Sequence, residues 1–208
     1  MTNIEAQRTE DKYLAERLAL LEFNRVAELL YERLFGEAIG RLAFSCRPDP
    51  RGFFGISCNV GIRFPRLDPL LRGGVTLQLE EHVVVVTMPL HLIANTTFKE
   101  WAFRDEAEME RVSLDIEAQV RKSGVPFLRR YSELSAVRAR LESELPADWF
   151  VLTPEGRLVL LAAMTYVDGE TRRGLEILER ALKERSDEPP KKRRQLEELR
   201  RRLLDGLR

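Results

Sequence analysis

The segment from Gly52 to Met88 constrains the fold of this chain more than any other segment. Residues 53–64 alternate between apolar side chains and small or polar ones, and four valines follow one another at residues 83–86. Alternation is typical of a half-buried β-strand, whereas a run of β-branched residues is typical of a strand covered on both faces. The segment therefore predicts an antiparallel sheet with the valine strand at its centre.

The strand at residues 53–64 has two unlike faces. Gly55, Asn59, Gly61 and Arg63 lie on one face. Glycine inside a strand indicates a bulge or the close approach of another group. The other face is apolar and is expected to build the core, through Phe54, Ile56, Cys58, Val60 and Ile62. Further strands are predicted at residues 41–47, 75–79, 82–88 and 98–103.

The remainder of the chain has the spacing of helices. Apolar residues recur every three or four positions between Asp11 and Phe35, which predicts one long N-terminal helix. Asp105 and Glu108 have the spacing of a capping box and predict the start of a helix, with Gly124 and Pro126 at its end. The same periodicity predicts four more helices: one that starts at Ser132, and three at residues 157–167, 170–185 and 191–207.

These patterns predict an α+β fold, with an antiparallel sheet of four to five strands, flanking helices and an all-α C-terminal segment. Residues 1–10 are expected to form a disordered tail, and residues 11–145 the α+β domain. Residues 146–208 are expected to form a helical hairpin plus a terminal helix that pack on the first domain.

The composition limits the class of partner. The 34 lysines and arginines balance 34 aspartates and glutamates, so net charge gives no reason to expect nucleic acid or membrane binding. The first residues contain no apolar leader, and the longest apolar run is far shorter than the roughly 20 residues that span a bilayer. The two cysteines, Cys46 and Cys58, are expected to be free thiols, as in a reducing compartment. We therefore expect a soluble, cytoplasmic protein.

The hairpin predicted at residues 157–185 carries small residues where its two helices would meet. Ala162 and Gly174 are such residues, and Gly169 follows the aromatic Tyr166 in the predicted turn. This pattern resembles one repeat of the tetratricopeptide family, in which small residues let paired helices pack closely. Solenoids of such repeats need roughly three units for stability. A single unit is therefore expected to pack against the rest of the chain.

A second resemblance covers residues 11–142. A helix is followed by a strand reading ISCNVGIRF, a strand pair, the tryptophan-bearing segment EWAF and a helix ending in GVPFLRRY. This order resembles an uncharacterised bacterial domain-of-unknown-function family, number four-three-zero-four, in which a similar N-x-G strand and a later tryptophan recur. The resemblance implies a small α+β domain and no particular activity.

The candidate binding site is the polar face of the strand at residues 53–64. Asn59 and Arg63 lie on that face, and His91, Glu100 and Trp101 join them if the sheet folds as a meander. Tryptophan offers contact area, arginine binds a carboxylate or phosphate, and an amide orients a ligand. The alternative, which the sequence favours, is a solvent face partly covered by a helix.

Few residues suit catalysis or metal binding. The only histidines, His82 and His91, lie nine positions apart, and no spacing groups them with further ligands. Cys58 and His91 could form a nucleophile pair across neighbouring strands, although a buried cysteine is more often structural. We therefore predict no catalytic residue, no metal site and no cofactor.

A basic run near the C-terminus is the strongest cluster of charge. A basic helix can bind the phosphate backbone of nucleic acids. However, Glu197 and Glu198 are placed to pair with Arg201 and Arg202 four positions later, which favours a salt-bridged, solvated helix. The basic run comprises Lys191, Lys192, Arg193 and Arg194.

The sequence favours a non-catalytic binding or interaction module that acts through the sheet face or the helical hairpin. The expected partner is another protein or a second copy of the chain, and not a membrane. Two alternatives remain open. One is a hydrolase or transferase with a groove formed by Asn59, Arg63 and His91; the other is a nucleic-acid-associated protein that uses the basic helix.

Overall fold

A computed structural model describes residues 3–71, 78–79, 82–83, 85–97, 100–143, 154–184 and 190–205. The described chain combines an antiparallel sheet and flanking helices with a helical C-terminal region. The predicted α+β class is therefore confirmed.

Strands and helices alternate through the first two thirds of the described chain. The strands are β1 (Asn24–Ala27), β2 (Leu30–Phe35), β3 (Ala38–Pro48), β4 (Phe54–Arg63), β5 (Gln78–Leu79), β6 (His82–Val83), β7 (Val86–Pro89) and β8 (Trp101–Phe103). The helices are α1 (Asn3–Ala19), α2 (Asp68–Leu71), α3 (Leu90–Ile93), α4 (Glu106–Gln119), α5 (Val125–Arg130), α6 (Leu134–Glu142), α7 (Pro154–Val167), α8 (Thr171–Glu184) and α9 (Pro190–Asp205). A 3-10 turn covers Pro65–Leu67. Within the described ranges, no helix has both the length and the apolar character needed to cross a membrane.

The main sheet has the strand order β1-β2-β3-β4-β7, and β8 also pairs with β4. The hairpin of β3 and β4 is therefore its centre. The six strands exceed the four to five predicted, because β1 and β2 come from a segment predicted as helix. The predicted core face of β4 is confirmed, since its five side chains are at most 8% exposed: Phe54, Ile56, Cys58, Val60 and Ile62.

The N-terminal helix is shorter and starts earlier than predicted. Residues 3–10 are helical, so the disordered tail predicted at residues 1–10 is wrong over its described part. The helix predicted between Asp11 and Phe35 ends at Ala19. The turn between β1 and β2 is Glu28-Leu29, a pair without the glycine or asparagine that usually marks such turns. No local signal therefore ends the helical pattern.

A distant aspartate holds this turn in place. Leu29 adopts a φ of 54°, which is unfavourable for a leucine. The Asp11 carboxylate of α1 accepts hydrogen bonds from the Leu29 backbone N–H (3.4 Å) and the Tyr31 hydroxyl (2.7 Å), and it pairs with Arg25. The turn is thus specified by tertiary contacts across 18 positions of sequence.

The described side chains of the valine run are buried, as predicted, but the run does not form the central strand. Val85 and Val86 are both 1% exposed. The run is divided, because β6 pairs with β5 in a separate two-stranded sheet, whereas Val86 begins β7 at the end of the main sheet. Residues 80–81 and 84, including the predicted Glu80-Glu81 turn, lie outside the described residues.

Helix α4 does not end at Gly124 and Pro126 as predicted. It continues through a π-helical turn, Val120–Gly124, directly into α5. A proline ring inside a regular helix contacts the carbonyl four residues earlier, and the wider π turn alters that spacing. The pair therefore marks a widened turn and not a helix end.

The described chain forms two compact units, each built from two stretches of sequence. One unit comprises Met1–Ile62 and Thr87–Ser132, and the other comprises Arg63–Val86 and Glu133–Arg208. The predicted boundaries at residues 10 and 145 do not coincide with these units, because the chain leaves the first unit after β4 and returns to it at β7. The predicted boundary segment around residue 145 lies outside the described residues.

In the second unit, α7 and α8 form the predicted helical hairpin. Gly169 lies in the turn with a φ of 89°. Gly174 lies so close to α7 that an added Cβ would be 2.9 Å from the Ala162 carbonyl oxygen. Arg138 of α6 donates to Asp168 (3.2 Å) and Glu170 (2.6 Å) beside the turn. Membership of the hairpin in the tetratricopeptide family remains a prediction.

Candidate functional site

A notch interrupts one edge of β4. Both β7 and β8 pair with that edge, because β3 occupies the opposite one. β8 pairs with Phe54–Ile56, and the next three residues of β4 line a cavity of about 210 Å³. Consecutive residues of a strand point to opposite faces, so a cavity lined by all three lies along the strand edge. We name this cavity the notch.

The notch brings together four of the five residues predicted to form the binding site, including Glu100. Asn59 lies on β4, His91 lies on the short helix that follows β7, and Trp101 begins β8. The three are far apart in sequence and meet because β7 and β8 share one edge of β4. The residues that complete the lining are Arg47, Ser57, Cys58 and Pro89.

The lining offers hydrogen-bond donors and acceptors of several kinds. The Asn59 amide can both donate and accept, as can the Ser57 hydroxyl. Arg47 contributes a cation and Glu100 an anion, and both residues are exposed. Such a mixture suits a polar group that both donates and accepts hydrogen bonds.

Gly55 makes room for the Glu100 carboxylate. A Cβ added at Gly55 would lie 2.5 Å from the carboxyl carbon of Glu100 and 2.6 Å from one of its oxygens. The close approach predicted for this glycine is therefore confirmed, and the approaching group is a carboxylate. A side chain at position 55 would displace that carboxylate from the surface of β4.

Two hydrogen bonds fix the neighbours of the notch. The Trp101 indole N–H donates to the Asp115 carboxylate of α4 at 2.8 Å, which holds the ring in one orientation. The hydroxyls of Ser45 and Ser57 lie 2.7 Å apart across β3 and β4. The notch is thus built on supported side chains, a requirement for specific recognition.

Sequence reasoning missed two polar residues of the notch, Ser57 and Arg47. Ser57 shares the face of Asn59 in the alternating pattern and was open to prediction on that ground. Glu100 was predicted to join the site if the sheet formed a meander, and Gly55 carried a signal that a group lies over β4. No feature of the sequence pointed to Arg47, because its position beside the notch depends on the register of β3 against β4.

Arg63 does not join the predicted site. Its guanidinium donates to the Asp68 carboxylate through Nε (3.1 Å) and Nη2 (2.5 Å), and both side chains are largely buried. Arg63 is not among the described residues that line the notch. The buried carboxylate of Asp68 compensates the charge of Arg63. The alternating pattern of β4 could not predict this pair, because Asp68 lies beyond the end of the strand.

Neither thiol is a ready nucleophile. Both cysteines are free, and burial raises the pKa of each, with a further increase from the nearby Glu10 carboxyl. The thiolate is the nucleophilic form of cysteine. Cys58 therefore lines the notch as a protonated thiol at neutral pH, beside His91.

The described residues include no group of three or more His, Cys, Asp or Glu side chains arranged to hold a metal ion. The side chain of His82 lies outside the described residues.

The basic helix is largely engaged in ion pairs. Arg193 pairs with Glu197 at 3.4 Å, and the predicted pair of Arg202 and Glu198 is confirmed at 2.9 Å. Arg201 pairs with Glu198 at 2.7 Å and not, as predicted, with Glu197. The predicted basic patch retains Arg194 as an exposed side chain, and the side chains of Lys191 and Lys192 lie outside the described residues.

Comparisons with models of protein families, with curated proteins and with solved structures found no match for this chain.

Proposed function

We propose that this protein is a non-catalytic interaction module that binds a partner protein, and that the notch accepts a polar side chain of that partner. The convergence of Asn59, His91 and Trp101 on one cavity carries this proposal. Membership of the domain-of-unknown-function family remains a prediction, and it would add no activity.

The size of the notch favours a side chain over a whole cofactor. Its volume of about 210 Å³ is below the roughly 300–1,000 Å³ typical of small-molecule sites. The Trp101 ring offers apolar contact on one side, while Asn59 and Glu100 offer polar contacts. Tryptophan is frequent among the few residues that contribute most of the binding energy in protein–protein interfaces.

The chemistry of the site supports binding without turnover. The Cys58 thiol is protonated, because burial raises its pKa. Arg63, which the hydrolase alternative requires, is bound to Asp68. The two free thiols also support the expected cytoplasmic location, which is part of the same proposal.

Cross-linking in the native host, with mass spectrometry of the captured proteins, tests the proposal. We expect the natural chain to capture a partner protein. With Asn59→Ala, the amount of captured partner should fall to about one tenth, because that change removes one polar contact. Gly55→Ala is expected to have a similar effect, since it displaces the Glu100 carboxylate.

Asn24→Ala is the matched control, because Asn24 is an exposed asparagine on β1, at the far edge of the sheet from the notch. It should leave capture of the partner unchanged. Equal capture by the natural chain and by all three variants would contradict a role for the notch.

A further inference from the structure

The outer edge of β8 is open in the described part of the chain. β8 pairs with β4 on one side, and no described strand pairs with its other side. A groove of about 530 Å³ runs beside it and is lined by the five consecutive residues 100–104, with Phe53, which precedes β4, at one end. Because residues from both faces line the groove, it follows the strand edge, where backbone N–H and C=O groups can take a further strand.

One stripe of α4 forms the wall of this groove. Its members are spaced by three and four positions, as on one side of a helix: Glu108, Arg111, Val112 and Asp115. Asp115 is held by the Trp101 indole, and Glu108 accepts from the Arg104 backbone N–H at 2.8 Å. The wall is therefore tied to β8, and the Arg104 backbone N–H is already engaged by Glu108.

Opposite charges flank β8 symmetrically. Glu100 directly precedes the strand and Arg104 directly follows it, and both are exposed, as is Ala102 at the centre of the strand, whereas Trp101 and Phe103 are buried. Among the described residues, Glu100 attracts the Arg51 guanidinium electrostatically. The two charged residues are each two positions from Ala102.

We propose that two copies of this chain dimerise by antiparallel pairing of their β8 strands about a two-fold axis at Ala102. In that register, Glu100 of each copy faces Arg104 of the other, so one short sequence forms two opposite-charge pairs. Such directly opposed pairs stabilise a sheet, whereas like charges in the same place destabilise it. The dimer goes beyond the binding role of the notch.

The charges also select this arrangement over others. Parallel pairing in register would place Glu100 against Glu100 and Arg104 against Arg104. Charges normally protect an edge strand from association, but here the same charges become complementary when two copies meet antiparallel. The Glu100 carboxylate lies over Gly55 of β4, so the long Arg104 side chain of the second copy would extend across the position of Glu100 to reach it. A carboxylate has enough acceptor positions to serve both this pair and the notch.

Sedimentation equilibrium of the full chain over a range of concentrations tests the dimer. The natural protein should approach twice the 24.1 kDa mass of the chain. Glu100→Arg and Arg104→Glu should each weaken dimerisation by about tenfold or more, because each creates two like-charge pairs. The double variant Glu100→Arg/Arg104→Glu should restore the dimer.

A mixture of the two single variants gives a stricter test. One then carries two arginines and the other two glutamates, so a heterodimer should form although each variant alone is weakened. Circular dichroism of each variant establishes that it is folded. A natural protein that stays monomeric at millimolar concentration would overturn the proposal, as would charge changes that leave dimerisation unaltered or are not restored in the double variant.

Asn59→Ala separates the two proposals. It should leave the dimer unchanged while it reduces capture of a partner protein at the notch. Loss of the dimer with this variant would argue against pairing at β8, because Asn59 does not line the β8 groove.

Discussion

At the scale of single residues, Glu10 of α1 has the most unusual environment. Its side chain is fully buried. Burial is the largest cause that raises its pKa, the nearby Cys46 thiol lowers it, and Asp11 and Glu28 add smaller increases; together these effects bring the pKa to about 8. Glu10 is therefore protonated at neutral pH in the folded protein.

The raised pKa makes stability depend on pH. In the unfolded chain Glu10 loses its proton near pH 4.5, whereas in the folded chain it keeps the proton up to about pH 8. The folded state thus binds more protons across this window, so the free energy of unfolding falls as pH rises from 4.5 to 8. The contribution is greatest below this window and is lost above it.

Glu10→Gln should remove this pH dependence, because glutamine keeps the shape and does not titrate. Relative to the natural chain, the variant should gain stability as pH rises, by up to about 1.4 kcal/mol per pH unit within the window. Urea unfolding at pH 5, 7 and 9 measures the difference. Glu110→Gln, at an exposed site, is the control; parallel pH profiles for the natural chain and Glu10→Gln would contradict the burial of a protonated carboxyl.

At the scale of elements, the contact of α7 with α8 depends on Gly174. The atoms that a Cβ would meet there belong to the backbone of α7: the Ala162 carbonyl oxygen at 2.9 Å and the Tyr166 nitrogen at 3.3 Å. Backbone atoms cannot move aside without separating the helices. By contrast, a Cβ at Gly124 would meet the Leu90 side chain at 3.5 Å, an ordinary contact.

Gly174→Ala and Gly124→Ala form a matched pair of variants. We expect the first to lower the free energy of unfolding by about 1–3 kcal/mol, as overpacking does. The second should be neutral or stabilising by up to about 1 kcal/mol, because Gly124 has helical φ and ψ angles and alanine loses less entropy on folding. Thermal unfolding followed by circular dichroism measures both; a neutral Gly174→Ala would show that the helices are not in close contact.

The elements differ in how far sequence alone could predict them. The two faces of β4 and the hairpin of α7 and α8 were predictable, because local periodicity and turn residues specify both. The β1–β2 hairpin was not, since Asp11 stabilises a turn with no local signal. The continuation of α4 through Gly124 was also hidden, because glycine followed by proline usually marks a helix end.

At the scale of the whole molecule, sequence could identify candidate residues but not their grouping. Asn59, His91 and Trp101 were predictable as polar or aromatic residues next to strands, and the structure places them around one notch. Arg63 forms a buried ion pair with Asp68 instead of joining them, and Glu100 was predictable as a possible neighbour of Trp101 but not as the group that lies over Gly55. The two units were also beyond local reasoning, because each combines distant stretches of the chain.

The most direct test of the notch is a titration of isotope-labelled chain with small analogues of polar side chains, followed by nuclear magnetic resonance. Acetamide, acetate and methylguanidinium represent an amide, an anion and a cation. We predict saturable shifts with at least one analogue, at dissociation constants on the order of 10 mM, confined to the backbone of residues 57–59 and the Trp101 indole N–H and lost in Asn59→Ala. Shifts absent with all three analogues, or unchanged in Asn59→Ala, would contradict the notch as a binding site.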